Sequence, residues 1–351
     1  MTLQTTGPIT LAEVQTEYGG ANPIGLNEYY AGGSYVPSGT SGTNGAVPTS
    51  GEIGLWHFYG VHLATTAVFY GGSGSTGYTN RVTRIDSSGT IIGSETTVGT
   101  ARSAPCGAGL GSTAVFYGGY TDDGKNSILH NKVTRINSSG ALIGSETTAG
   151  TANYSKAGAG IGSTAVFYAG YAGVAHTNTV TRIDSSGALI GSETTVGTAR
   201  WYLAGAALGP TAVFYGGQLS DGTRQNRVTR IDSSGTIIGS ETTVGAARYG
   251  FAGAGIESTA VFYSGNVSTF GSTSDIVTRI NSSGTIIGSE TNLAINVSRN
   301  GGAGLGSTAV FYAGLTTVLN NTAKRINSSG TIIGSETTVG TAREHLAGTG
   351  I

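Results

Sequence analysis

Thr113-Ala-Val-Phe-Tyr117 is one of six copies of the same five residues, which begin at Thr66, Thr113, Thr164, Thr211, Thr259 and Thr308. Each copy is followed by a small residue and then glycine, as in Gly118-Gly119. A β-branched and aromatic run closed by glycine reads as a buried strand. The copies are spaced by 47, 51, 47, 48 and 49 residues, which reads as an array of β modules.

The module containing Thr113 shows the plan. A variable segment, Tyr120 to Asn131, leads to a second strand, Lys132-Val-Thr-Arg-Ile136. Asn137-Ser-Ser-Gly140 has the residues of a type I turn, with Gly140 free to take a left-handed conformation. Ala141 to Thr148 reads as a third strand, and Gly158-Ala-Gly-Ile161 as a fourth made of small residues. Gly162-Ser163 then turns the chain into the next Thr-Ala-Val-Phe-Tyr copy. Four strands per module is the anatomy of a propeller blade, lettered here A, B, C and D in chain order from the small-residue strand.

Spacing locates the variability. From the arginine of Arg-Ile-Asp/Asn-Ser-Ser-Gly (Arg84, Arg135, Arg182, Arg230, Arg279) to the next strand-opening threonine is always 29 residues. From the glycine that closes strand B to that arginine, the count runs 12, 16, 12, 13, 14 and 11. Length therefore varies in the B–C connection, as befits an exposed loop on a packed scaffold.

These repeats resemble the kelch family over roughly residues 61–351. The likeness rests on Ala-Arg, Gly-Ala-Gly-Leu, the hydrophobic strand, Gly-Gly and Val-x-x-Ile-Asp. It departs where strand D carries Ile92, Ile238 and Ile287 instead of an aromatic residue. The resemblance implies a β-propeller in which strand A is innermost and the double glycine ends strand B. The first module, from Val61, lacks the segment that precedes the others, and Thr341 to Ile351 supplies it. The expected fold is all-β: a six-bladed, kelch-like β-propeller closed by the C-terminal strand. A small irregular N-terminal module with short helices precedes it.

Composition fits this plan. The chain has 61 glycines, 11% charged residues and a net charge of −1, so no broad nucleic-acid surface is expected. No run approaches the ~18 apolar residues of a membrane span, and no signal peptide is visible. Cys106 is the one cysteine, which leaves no intrachain disulfide.

Residues 1–60 do not repeat. Thr10-Leu-Ala-Glu13 has capping-box spacing, with Leu11, Val14 and Tyr18 on one helical face and Gly19-Gly20 as the stop. A second short helical turn is expected within Pro23 to Tyr30, then a loop from Val36 to Gly51 and an aromatic anchor from Glu52 to Tyr59. Gly7 to Gly20, Asn22 to Tyr30 and Phe58-Tyr59-Gly60 are similar to the N-terminal modules of tailed-bacteriophage virion proteins. That resemblance implies a structural protein of a phage particle, located in the virion and docked to other virion proteins through residues 1–60.

Residues that would carry chemistry are scattered. His57, His62, His130, His176 and His345 share no metal-ligand spacing, and Asp122-Asp-Gly-Lys-Asn126 lacks the carboxylates of a calcium loop. Asp86-Ser-Ser-Gly-Thr90 reads as a hairpin turn. No cofactor or metal is expected. Glu95, Glu146, Glu193, Glu241, Glu290 and Glu336 recur once per blade, as do the strand C arginines ending at Arg325. A second arginine opens strand A at Arg102, Arg200, Arg248 and Arg343, with Asn153 and Val297 in its place elsewhere. The expectation is an Arg–Glu framework between strands or blades.

Because strands alternate in direction, the A–B and C–D turns share one face and the B–C and D–A connections share the other. The second face carries what differs between blades. Its B–C loops hold Tyr78, Tyr120, Asp122, Asp123, Lys125, His130, Tyr171, His176, Arg224 and Phe270. Its D–A connections hold Tyr154, Lys156, Trp201, Tyr202, Tyr249 and Phe251. Aromatics among scattered polar groups suit a sugar or a protein surface. The expected function is therefore non-enzymatic, a tail fibre or adhesin binding a host surface glycan or protein as a homo-oligomer, without membrane insertion. The alternatives are a capsid decoration or baseplate component without a receptor, or a glycan-active enzyme on the same ring.

Overall fold

Every residue of Ala114-Val-Phe-Tyr117 is buried, on both sides of its strand, and the other five copies repeat this. A strand can lose both faces to solvent only if sheets stack on each of them. In the computed structural model, six four-stranded antiparallel sheets do so in a ring, each built in the order A–B–C–D. The structure describes residues 3, 8–18, 20, 22, 24–31, 36, 41–42, 45–58, 64–122, 126–267, 273–293 and 296–351. The chain is a six-bladed β-propeller. The start of the ring expected at Val61 falls outside the described residues.

Period-two alternation sends the tyrosine of strand B to one neighbouring blade and its phenylalanine to the other. Tyr70 packs on Phe116, Tyr117 on Phe167, Tyr168 on Phe214 and Tyr215 on Phe262; Tyr263 on Phe311 and Tyr312 on Phe69 complete the circle. Ring centroids lie 5.2–5.3 Å apart throughout. Closure is by the C-terminal strand: Ala347–Gly350 pairs antiparallel with Ala67–Tyr70. The Ile351 carbonyl also accepts from the Thr65 and Thr66 amides.

The innermost strands converge on the axis so tightly that side chains on one register would collide. A Cβ on Gly160 would overlap the carbonyl oxygen of Gly109 in the preceding blade, and five of the six copies have glycine in this register, with Ala207 in the other. The second residue after each tyrosine is always glycine for a related reason. Gly119 sits at φ +96°, where a Cβ would come within 2.8 Å of the Ser103 carbonyl. The residue before it tolerates a side chain at positive φ, and Ala169, Ser264 and Ala313 take that place.

Two expectations need correction. Ala141 to Thr148 is not one strand. Leu142 makes an isolated bridge to Ile136, the chain bends at Gly144 (φ +65°), and only Thr147–Thr148 pairs as strand D. The strand C arginines of the Arg-Ile motif make no ion pair with the recurring glutamates among the described residues, although Arg81 and Arg227, which open strand C, pair with Glu95 and Glu241 at 3.5 and 3.6 Å. Arg84 instead runs beneath the turn of the following blade and donates from Nη1 to the Ser138 carbonyl at 3.2 Å. Arg135 and Arg279 do the same to Ser185 and Ser328.

That turn is as the sequence indicates: the Gly140 amide donates to Asn137 O at 2.9 Å, and Asn137 Oδ1 accepts from the Ser139 and Ala141 amides. Thr96 Oγ1 of the preceding blade donates to the Gly140 carbonyl at 2.8 Å. Equivalent bonds run round to Thr337 Oγ1 and the Gly89 carbonyl. This face is uniform because each turn is a docking element for its neighbour.

Before the ring, the capping box forms as expected: the Thr10 amide donates to Glu13 Oε2 and the Glu13 amide to Thr10 Oγ1. It starts helix α1, Leu11–Tyr18, which buries Val14 and Tyr18. A 3-10 turn at Leu26–Glu28 and another at Leu55–Phe58 follow. Leu3, Ile9, Val14, Tyr18, Tyr29, Val36 and Phe58 are among the residues of one local core.

Candidate functional site

The variable face is organised by two consecutive residues at the entrance to each innermost strand. The first makes an antiparallel bridge to the residue after the glycine pair of its own blade. The pairs are Ser103 with Tyr120, Tyr154 with Tyr171, Trp201 with Gln218, Tyr249 with Asn266, Ser298 with Leu315, and Glu344 with Ser73. This bridge brings B–C and D–A residues, far apart in sequence, side by side.

The second residue is left-handed in all six blades: Ala104, Ser155, Tyr202, Gly250, Arg299 and His345, at φ +50° to +67°. That conformation turns its amide along the ring. Each donates to the carbonyl of its counterpart in the preceding blade: Ala104 to His345 at 2.8 Å, Ser155 to Ala104 at 3.3 Å and Tyr202 to Ser155 at 3.2 Å. Gly250 to Tyr202 at 2.8 Å, Arg299 to Gly250 at 2.7 Å and His345 to Arg299 at 2.8 Å complete a closed circle around the channel mouth. Five of the six side chains differ from glycine, so strain at these positions is held by the ring itself.

Outside the mouth the aromatic residues form one connected belt. Tyr78 lies 5.6 Å from Tyr120, which lies 4.7 Å from Tyr154. Tyr154 contacts Tyr171 at 5.5 Å and Trp201 at 6.1 Å, and His176 stacks on Trp201 at 4.8 Å. Trp201 meets Tyr202 at 4.5 Å, and Tyr202 meets Tyr249 at 6.1 Å. All are half-buried. Trp201 is fixed by its indole N–H, which donates to Gln218 Oε1 at 3.3 Å. The belt spans blades one to five, whereas blades six and one present the ion pair Arg299–Glu344 at 2.9 Å.

Other residues expected at this face take no part in the belt. Phe251 is buried against Tyr215 and Phe262. Lys156 is buried too, with Nζ donating to Thr181 Oγ1 at 3.2 Å and the Thr179 carbonyl at 3.3 Å. Asp122 is exposed on the hairpin that pairs Tyr120–Asp122 with Ser127–Leu129, and Arg224 bridges Gln218 through the backbone. Asp123, Lys125 and Phe270 lie outside the described residues.

Just beneath the face is a second circle, of six buried cations. Arg102 Nη1 meets Glu146 Oε1 at 3.0 Å, and its Nη2 donates to Thr134 Oγ1, which in turn donates to Glu146. Arg200–Glu241 (3.4 Å), Arg248–Glu290 (3.9 Å) and Arg343–Glu95 (3.6 Å) repeat this. Where Asn153 replaces arginine, Lys156 reaches Glu193 through Thr181. Where Val297 replaces it, Lys324 pairs with Glu336 at 2.9 Å. Each cation also lies 5.1–5.9 Å from the strand B tyrosine of the preceding blade. Burial alone would raise the Glu146 pKa. Hydrogen bonds from Thr100 and Thr134, and then Arg102, overcome it and hold Glu146 at about 2.

Sequence reasoning passed over Ser155, Arg299, Asn300 and His345, which line the channel mouth with Tyr202 and Leu203. The signal that could have found them is positional. In each blade they stand two or three residues after the Ala-Arg arginine or its replacement, in a column that changes at every repeat. Among the described residues no group of three or more His, Cys, Asp or Glu side chains could hold a metal, and no helix is long and apolar enough to cross a membrane. Comparison with protein-family models and with curated proteins finds no match to the chain.

Proposed function

We propose that this chain is a non-enzymatic virion protein of a tailed phage, an adhesin or tail-fibre component. Residues 1–60 hold it in the particle, and the variable propeller face engages a host surface glycan or protein. The observation that carries the binding part of this reading is the belt from Tyr78 to Tyr249. Eight tyrosine, tryptophan and histidine rings in it form one connected series of contacts, half-buried, on one face of the ring. Such clusters are where binding energy concentrates, because aromatic rings remove much area from water at low entropic cost.

The virion part rests on the resemblance of residues 3–60 to phage modules, and the kelch-like repeat pattern supports a display scaffold. Trp56, 49% exposed and stacked on His57 at 3.5 Å, gives that module an aromatic contact point for a neighbouring virion protein. A symmetric homo-oligomer fits the symmetry of virion sites.

The test is a particle carrying Tyr154→Ala and Trp201→Ala, scored for assembly and for adsorption to host cells. Each anchor contributes roughly 1–3 kcal/mol per site, and many copies multiply that into lost adsorption. Normal assembly with lost adsorption is expected. Normal assembly with unchanged adsorption leaves a decorative or baseplate role instead.

A further inference from the structure

We propose that the ligand of the aromatic belt is a protein, and that it enters as an extended, apolar segment paired along the open strand edge at Ser127–Leu129. The proposal rests on the reading of this face as the binding face and names the class of molecule that it takes.

The B–C connection of blade two is a hairpin, Tyr120–Asp122 paired with Ser127–Leu129. Tyr120 spends both of its backbone groups on Ser103, the amide and the carbonyl each bonding there at 2.9 Å. Leu129, which stands opposite Tyr120, therefore turns its own N–H and C=O away from the hairpin, and Ser127, two residues earlier, does the same. None of these four groups has a partner among the described residues. Ser127 and Ile128 are exposed, so the edge lies open to solvent. An open edge is a template for another strand, whose main chain supplies the missing bonds.

The flank of this edge is apolar. Ile128 is 47% exposed, and Val174, on the blade-three loop, 93%. The two loops adjoin, since a Cβ on Gly173, the residue before Val174, would stand 3.7 Å from Leu129 Cδ2. Tyr171 and His176 of the same loop then lead to Trp201. Side chains at alternate positions of an added strand can meet both the aliphatic spot and the belt.

A glycan is served less well. A sugar seats its C–H face on an open aromatic face, and the belt spends its ring faces internally. Trp201 has His176 stacked on it at 4.8 Å and Tyr202 against it at 4.5 Å, with Tyr171 at 5.6 Å and Tyr154 at 6.1 Å. Tyr154 meets Tyr171 edge to face at 66°, and Tyr78 meets Tyr120 at 72°. The belt is left with ring edges and with the hydroxyls of Tyr78, Tyr120, Tyr154 and Tyr249, which no described group engages. Such hydroxyls can donate to the carbonyls of a peptide.

Adsorption of the intact particle tests this, on host cells treated with proteinase K or with periodate, which cleaves the vicinal diols of sugars. Adsorption should be lost after proteinase and kept after periodate. Ser127→Pro removes one outward N–H and leaves the hairpin bonds in place, so it should slow adsorption about tenfold without changing the melting temperature of the purified chain. Ile128→Asp puts a charge on the exposed aliphatic spot and should slow adsorption by a similar factor. Val318→Ser, on a blade-six loop and 66% exposed, should adsorb as the parent does. Adsorption that survives proteinase, or that periodate abolishes, overturns the proposal, as does parental adsorption by both Ser127→Pro and Ile128→Asp. If the Tyr154→Ala, Trp201→Ala particle loses adsorption while proteinase has no effect, the protein ligand alone is refuted; if that particle adsorbs normally, the binding face itself is.

Discussion

Lys324 Nζ lies 2.9 Å from Glu336 Oε1 and 5.6 Å from the Tyr263 ring, the place that an arginine guanidinium fills in four other blades. It arrives there from strand C, at the position that is threonine in the other five copies, because Val297 has removed the arginine from the strand A entrance. The blade has kept the cation and changed its origin. Lys324→Thr should therefore strand Glu336 and cost about 3 kcal/mol, as when one member of a buried pair is removed. Adding Val297→Arg should recover most of that loss. A double-mutant cycle read by denaturant unfolding checks it; additive costs would show that the two positions do not share one role.

The depressed carboxyls set the acid limit of the ring. Glu95, Glu146, Glu193 and Glu241 all have pKa values below the ordinary value of 4.5; burial opposes the shift and hydrogen bonds outweigh it. A depressed pKa means stability that is complete above about 4.5 and is lost as pH falls towards the folded value, about 2 for Glu146. Thermal melting should begin to fall below about pH 6.5, where the unfolded chain but not the buried His345 (held at about 3) takes up a proton, and fall further between pH 4.5 and pH 2 as the carboxyls protonate. Glu146→Gln should lower the melting temperature at pH 7 and shrink that acid fall. A parent curve that stays level to pH 2 would contradict the account.

Two glycines two residues apart should respond differently to alanine. Gly160→Ala places a methyl group into the Gly109 carbonyl of the preceding blade, in a register that only Ala207 fills among the six copies, whereas a Cβ on Gly162 meets nothing within 4 Å. Gly162→Ala carries only the left-handed penalty at φ +58°, about 1 kcal/mol. Gly160→Ala should cost several times more. Equal losses would mean that the inner strands can separate.

Removal of residues 341–351 should be the most damaging change. It takes away the inner strand of blade one and, with it, Arg343, the partner of Glu95. The Ala67–Tyr70 edge would then be open to pairing with other chains. Loss of cooperative melting and concentration-dependent association on light scattering are expected. A truncated chain that melts like the parent would refute closure by this strand.

The sequence made the blades legible because their signals are local. The Thr-Ala-Val-Phe-Tyr copies, the Asn-Ser-Ser-Gly turns and the small-residue strands each occupy one column of the repeat. The two sides of the ring followed from strand parity, which also brought Tyr120, Tyr154, Trp201 and Tyr249 to one face. The cation circle was less legible, since Lys156 and Lys324 replace arginine from different columns and only a shared location relates them. The mouth was hidden for another reason. Positive φ is readable when glycine occupies it, as at Gly250, but Tyr202, Arg299 and His345 adopt it under the compulsion of ring hydrogen bonds.

That circle of six amides separates holding from reading. The main-chain circle is the same whichever side chain each position carries, while contacts such as Arg299 with Glu344 are added to it by particular side chains. Alanine, serine, tyrosine, glycine, arginine and histidine already occupy six equivalent sockets in one molecule. A rim built this way can be re-keyed one socket at a time, with new specificity arising by exchange of side chains and no redesign of the wheel that bears them.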